Sequence, residues 1–269
     1  LPWLLPLVGV LALASLAIGS TAMPVLEGLW QWLRGEHSLA AIVIGEIRLP
    51  RTLLALAAGA CLGLAGAALQ GLLRNPLADP SLTGASQGAA LGAAAVFYFG
   101  LFPALGGFAT ALGGLAGALA ALGLVLWLAG AGNPSRVILA GLAVSTVAGA
   151  SLAAVLTLAP NPYALQELVF WLMGSVADRG LEQLWVLLPA LLLGSALLWW
   201  QRGLLHALSL GEDVAASLGF AVGRGSRWLV LGCGLLVGGS VAVAGAIGFV
   251  GLMVPHLLRP LVAHRADRL

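Results

Sequence analysis

Lysine is absent from this 269-residue chain, and all twelve basic residues are Arg. Without Lys there is no G-x-x-x-x-G-K-[ST] phosphate loop, so the chain does not hold a nucleotide that way. Charge of either sign is scarce: 8% of residues, against roughly 25% in soluble domains. A net charge of +2 therefore gathers into no basic face for nucleic acid. The two cysteines, Cys61 and Cys233, both lie inside apolar runs. They read as core packing rather than a disulfide or a metal pair. Inside those runs no Asp, Glu or Arg occurs, except Arg227 at one edge. Proton- and sodium-coupled carriers usually keep an ionisable group near the membrane midplane, so that class is disfavoured.

What is present is apolar sequence. Twenty-two uncharged residues separate Arg51 from Arg74, and fifty-six separate Asp79 from Arg136. Roughly 20 apolar residues in a helix cross a ~30 Å hydrocarbon layer. The pattern predicts eight spans: 1–26, 52–73, 82–99, 106–129, 137–158, 183–200, 226–244 and 247–258. The fold class expected is an all-α polytopic transmembrane bundle, a single transmembrane domain over 1–269. The first residue is Leu, so the natural start is expected upstream. The first run is not read as a cleaved signal, because further spans follow it. Glycine reaches 38 residues. Pairs such as Gly59/Gly63, Gly88/Gly92, Gly113/Gly117 and Gly234/Gly238 predict close helix–helix approach.

Arginine counting sets an expected orientation. With eight spans, the loops 74–80, 130–136 and 201–225 and the tail 259–269 share one side. With Arg227 they carry eight Arg, including Arg265 and Arg268, against four on the other side. The Arg-rich side is expected to be cytoplasmic, with the N-terminus inside. On the other side, residues 27–47 with Trp30, Trp32 and Leu33 suit an interfacial helix. Residues 164–176, after Asn161-Pro162, suit a short helix at the outer mouth.

Four segments stand out. Arg48-Leu-Pro-Arg51 opens the second span with two cations on nearly one face. Interfacial snorkelling and a docking pair for acidic groups both fit. Gln70-Gly-Leu-Leu-Arg-Asn-Pro-Leu-Ala-Asp-Pro80 closes that span with two Pro that forbid helix. It is either a rigid inner loop or irregular backbone lining a cavity. In 208–220, Ser209 or Gly211 can cap a short helix with Glu212 and Asp213 in its first turn. Gly219 can end it. Such a helix is a knob for a partner's groove or an idle surface element. Ala244-Gly-Ala-Ile-Gly-Phe-Val-Gly-Leu-Met-Val-Pro-His-Leu-Leu-Arg259 reads as a broken helix. His256 has no second ligand near it in sequence and is expected to be structural.

These four segments, in this order and spacing, resemble the FecCD/BtuC-like permease family over about Glu46 to Arg259. Those permeases belong to bacterial ATP-binding-cassette importers of iron–siderophore complexes, haem and cobalamin. The resemblance implies a BtuC-like bundle of ten spans, two of them beyond this chain. It implies a homodimer on two ATP-binding subunits, which hold the ATP and Mg, fed by a periplasmic substrate-binding protein at the bacterial inner membrane. This chain would bind no cofactor and catalyse no reaction. By the same resemblance, Arg48 and Arg51 dock the binding protein. Asn75, Leu77 and Ser135 form a cytoplasmic gate. Ser145, Thr146 and Ser151 of the fifth span are pathway candidates. Leu210, Gly211, Glu212, Asp213, Ala216 and Gly219 belong to a coupling helix within the cytoplasmic loop 201–225. The expected function is ATP-driven import of a bulky iron chelate or cobalamin by alternating access. The alternative is a passive channel or an ion-coupled carrier. A membrane enzyme around His256 would need a second titratable group at the same depth.

Overall fold

The computed structural model describes residues 3–130, 134–158 and 162–262. Asn161, Arg265 and Arg268 lie outside them. The described residues are helical, with no strand among them. Helix α1 (Leu4–Ala17) turns through a short link into α2 (Val25–Leu33). Then α3 (Leu39–Ala41), a π-helical turn (Ile42–Arg48) and α4 (Leu49–Leu73) continue as one 35-residue helix. After it come α5 (Ala85–Phe99), α6 (Gly107–Ala129), α7 (Pro134–Thr157), α8 (Pro162–Leu172) and α9 (Glu182–Trp200). The chain closes with α10 (Arg202–Leu208), α11 (Glu212–Ser217), α12 (Val222–Ala244) and α13 (Val250–Leu258).

Five of these helices are long and apolar enough to cross a membrane. They are the 35-residue helix, α6, α7, α9 and α12. Helices α1 and α5 are apolar but shorter, and α13 has nine residues. Every apolar run in the sequence became a helix, yet three are too short to span alone.

The second span differs from its expected start. Its helix begins at Leu39, where the Ser38 hydroxyl accepts from the Ala41 amide at 3.0 Å and caps it. Pro50 therefore lies inside a helix. It has no N–H to donate to the carbonyl one turn back. The π turn before it has already widened the register: the Leu49 amide reaches back five residues to the Ile44 carbonyl. Thirty-five residues span about 52 Å, so the N-terminal third projects beyond a ~30 Å hydrocarbon layer. There α2 lies on it, with Trp32 packed on Gly45 and Gly28 against the Ala40 carbonyl and Ile44.

Helix α12 is the axle of the bundle. It packs against α4, α5, α6 and α9. Leu229, Cys233 and Leu236 are fully buried on it. Its glycines seat the neighbours: Gly234 meets Leu122, Gly238 meets Ala118 and Gly239 meets Ala190. Both cysteines are free and buried, and the Cys233 thiol lies 3.5 Å from the Ala65 carbonyl. Helices α5 and α6 meet through reciprocal glycines, Gly88 on Gly117 and Gly92 on Gly113, backbone against backbone. Gly59, by contrast, has open space where a side chain would go. Gly117→Leu is therefore expected to destabilise the protein by about 3 kcal/mol. Gly59→Leu should leave the apparent Tm in detergent within a degree or two. Equal melting of the two variants would contradict this packing.

Candidate functional site

Two pieces of irregular backbone meet inside the bundle. The first is the turn 74–84. Arg74 adopts a left-handed conformation (φ 49°) and ends α4. The Asn75 side-chain oxygen accepts from the Leu77 amide at 3.0 Å, and Asp79 accepts from the Ser81 amide at 2.8 Å. A 3-10 turn, Pro80–Thr83, then leads into α5. This segment folds back into the bundle. A Cβ on Gly141 would overlap the Leu82 carbonyl. Gly141 lies seven residues into α7, about 10 Å along its axis. Of the two readings of this segment, backbone lining a cavity is the one the structure shows.

The second piece is the break between α12 and α13. Gly245 has φ 72° and Phe249 has φ 65°, a conformation that non-glycine residues rarely adopt. The freed backbone is covered by the end of α8. The Ser175 amide donates to the Ala244 carbonyl at 2.7 Å, and Gly245 sits directly on the Trp171 carbonyl. After the break, α13 is pressed onto α4. A Cβ on Gly66 would overlap the Gly251 carbonyl, and one on Gly251 would overlap the Pro80 ring. The three glycine- and proline-bearing segments thus lock together at one depth.

Between the two pieces lies a cavity of about 480 Å³. Its polar groups come from Asp79, Ser81, Ser86 and Gln87. The rest of its lining is largely apolar and includes Leu152 and the largely exposed Phe249. Asp79 is the one carboxylate lining it among the described residues, and one of its two oxygens caps the 3-10 turn.

A buried amide ties this arrangement down. Gln70 is 2% exposed. It donates to the Leu252 carbonyl at 3.2 Å and accepts from the Arg259 guanidinium at 2.7 Å. Gln70 and Arg259 belong to two motifs that nothing in the sequence connects, and nothing in the sequence singles out Gln87. The available signal was an amide in an otherwise apolar span, next to a Pro-rich turn.

The expected site residues fall in different places. Asn75 and Leu77 are exposed at the entry of the turn, and Ser135 is exposed in the first turn of α7. No hydrogen bond among the described residues joins Ser135 to the other two. On α7 the hydroxyls do not share a face, because 100° per residue spreads positions 145, 146 and 151 around the helix. The Thr146 hydroxyl donates back to the Leu142 carbonyl at 2.9 Å. The Ser145 hydroxyl is buried without a partner. Ser151 borders an apolar groove between α5, α6 and α7. It is Leu152, not these three, that reaches the 480 Å³ cavity. His256 is exposed on α13.

The arginine pair is divided. Arg48 is 8% exposed. It donates to the carbonyls of Leu16 (2.9 Å), Ala17 (3.2 Å) and Thr21. The last carbonyls of α1 have no helical partners, and a cation there also suits the helix dipole. Arg51 is exposed and has no partner among the described residues. At the same end, Arg179 is half-buried beside a 420 Å³ hollow with Trp171 and Phe97. Burial pushes its guanidinium down from the usual Arg range, and neighbouring Asp178 pushes it back up.

The predicted short helix of 208–220 is present. Gly211 (φ 120°) precedes α11, with Glu212 and Asp213 in its first turn, and Gly219 (φ 88°) follows. Ala215 is fully buried against the bundle. Leu210, Val214 and Leu218 point outward, 61%, 40% and 60% exposed.

The profile of the FecCD transport family matches residues 7–269. The chain belongs to that family. Among relatives of this FecCD chain, an uncharacterised ABC transporter permease, YvrB of Bacillus subtilis, is 40% identical over 224 residues. That match covers 81% of this chain and 63% of the relative, so the chain spans less than two thirds of that relative's length. The hemin transport system permease HmuU of Yersinia pestis is 39% identical, covering 92% of this chain and 75% of the relative. A solved transporter assigned to the metal-chelate ABC type, in an inward-facing conformation, superposes with a TM-score of 0.80 at 32% identity. It covers 98% of this chain and 82% of its own. The FecCD fold expected from the four motifs, an all-helical BtuC-like bundle, is the fold observed.

Proposed function

We propose that this chain is the membrane-spanning subunit of an ATP-driven importer that carries a bulky metal chelate, an iron chelate foremost, across the bacterial inner membrane. The observation that carries this reading is the 480 Å³ cavity between the folded-back turn and the α12–α13 break. Its lining is mostly apolar, with a few polar groups and a single carboxylate. Such a lining lets a large solute pass without trapping it. The names of the relatives, a hemin permease and a metal-chelate transporter, support the cargo class.

Two copies of the chain work with two ATP-binding subunits and an external binding protein, with the N-terminus in the cytoplasm. Leu210, Val214 and Leu218 on α11 form the knob that meets the ATP-binding subunit. Motion of that knob rocks α12 and the turn carrying Asn75 and Leu77, which opens the inner end against Ser135. Arg51 marks the docking end for the binding protein. An ion-coupled carrier is less well supported, because the relatives are ABC transporter proteins.

The test is purification of the tagged full-length protein from its native membrane, with partners identified by mass. Reconstituted uptake of haemin, a ferric siderophore and cobalamin follows. ATP-dependent uptake of at least one chelate is expected. A lone oligomer free of any ATP-binding subunit would refute the reading. Coupling has its own check. Gly219 has a backbone that favours glycine, and Leu218 beside it is exposed. Gly219→Leu, or Leu218→Asp, should cut ATP-driven uptake more than tenfold while the ATP-binding subunits still hydrolyse ATP. Unchanged coupled uptake would remove α11 from the coupling surface.

A further inference from the structure

One side of α9 is exposed and meets no other helix among the described residues. Its buried face, Leu187, Ala190, Gly194 and Leu198, packs on the bundle. Its other face carries Trp185, Leu192 and Trp199 at 73%, 66% and 68% exposure. These three repeat every seven residues, so they form one stripe along a helix long and apolar enough to span. The stripe is apolar in the middle and begins and ends on Trp. Fourteen residues separate the two Trp, about 21 Å of helix. Tryptophan collects at both interfaces of a bilayer, so this face is turned to lipid.

The Trp199 end is the richer one. The Arg202 guanidinium stacks over the Trp199 ring at 4.0 Å. Trp200, 66% exposed, packs on Trp228 of α12 with ring centroids 5.9 Å apart. Arg227 adjoins Trp228 and is half-buried, and Arg224 is exposed one turn earlier. None of Arg202, Arg224 and Arg227 pairs with a carboxylate among the described residues. Arg202 thus sits on an aromatic ring at the end of the apolar stripe, and Arg224 and Arg227 lie in the first turns of α12, the helix whose Trp228 packs on Trp200. Stacking holds the Arg202 fork in place, which lowers the entropy lost on binding a phosphate.

We infer that the α9–α12 end, through Arg202 on the Trp199 ring and Arg227 at the start of α12, is a binding site for the phosphate headgroup of an anionic phospholipid. This goes beyond the transport reading and does not depend on it. The lipid is favoured over a soluble anion because the cations continue a lipid-facing stripe. An acyl chain along Leu192 would be held by the same molecule whose phosphate meets Arg202.

The experiment uses the purified full-length protein in a neutral detergent. It is titrated with phosphatidylglycerol, with phosphatidylcholine of the same acyl chains, and with inorganic phosphate. Retained lipid is read by native mass spectrometry on the monodisperse fraction. Phosphatidylglycerol should be retained in clear preference to phosphatidylcholine. Each Arg near an anionic surface contributes roughly 1 kcal/mol, about fivefold. Arg202→Gln should therefore lower phosphatidylglycerol retention about fivefold, and Arg202→Gln with Arg227→Gln about 25-fold. Trp199→Leu, which changes no charge, should also lower it, because the guanidinium loses its platform. Equal retention of the two lipids, or an unchanged double variant, would overturn the inference. Displacement of the lipid by inorganic phosphate would overturn it too and mark a soluble-anion site. An unaltered Trp199→Leu would reduce the effect to diffuse charge and likewise refute a built site.

Discussion

Gly66→Val is expected to leave almost no correctly assembled protein in the membrane. A Cβ at Gly66 would overlap the Gly251 carbonyl, which is backbone and cannot swing away. Gly251 also rests against the Pro80 ring and the Leu62 carbonyl of α4, so α13 is held close at more than one point. The Gln70 bonds to Leu252 and Arg259 pin the same helix a turn further on. Overpacking of a closed contact costs about 3 kcal/mol, and a β-branched residue adds more. That is a large part of a typical 5–15 kcal/mol stability. Gly66→Ala should be intermediate, and Gly59→Val, in open space on the same helix, nearly silent. The measurement is the monodisperse fraction on size exclusion in mild detergent, together with the apparent Tm. A Gly66→Val protein that melts within a few degrees of the parent would show that α13 does not sit on α4 as described.

Arg51→Glu should abolish docking of the external binding protein without loss of folding. Arg51 is exposed and unpartnered, so its reversal disturbs no internal contact. At an interface with acidic groups the change removes one attraction and adds one repulsion, together several kcal/mol. An affinity loss of about 100-fold or more is the expected result, read by surface binding of the purified binding protein to the reconstituted complex. Arg48→Ala should behave in the opposite way. It strips three hydrogen bonds from the end of α1 and should cost about 1.5–3 kcal/mol of stability. Docking by the folded fraction should survive. Undiminished docking by Arg51→Glu would move the docking surface elsewhere on that end, with Arg179 the next residue to vary.

The two arginines show how far sequence reasoning reached at the outer end. Three residues apart on a helix, they were expected to act together. Nothing local indicates that the end of α1 lies beside Arg48 and lacks hydrogen-bond donors. The π turn is another such case. It lets Pro50 sit inside a helix that starts thirteen residues earlier than the charge pattern implied. The α7 hydroxyls make the same point. Polar atoms in an apolar span attract notice, but Thr146 only bonds back within its own helix. The residues that line the cavity, Ser86 and Gln87, sit at the start of a different helix.

What the sequence determined alone was what local chemistry dictates. Runs of uncharged residues specify membrane helices because the backbone must satisfy its own hydrogen bonds in lipid. Gly211, Glu212, Asp213 and Gly219 specify α11 because helix starts and stops are settled within one turn. The four motifs in register specified the family. Tertiary structure alone decided which polar groups face one another. Gln70 reaches Leu252 and Arg259 across 182 and 189 residues. The turn 74–84 becomes a cavity wall only because α7 and α13 close over it. Such contacts depend on how whole helices pack, and a glycine that admits a carbonyl reads in sequence like one that faces open lipid.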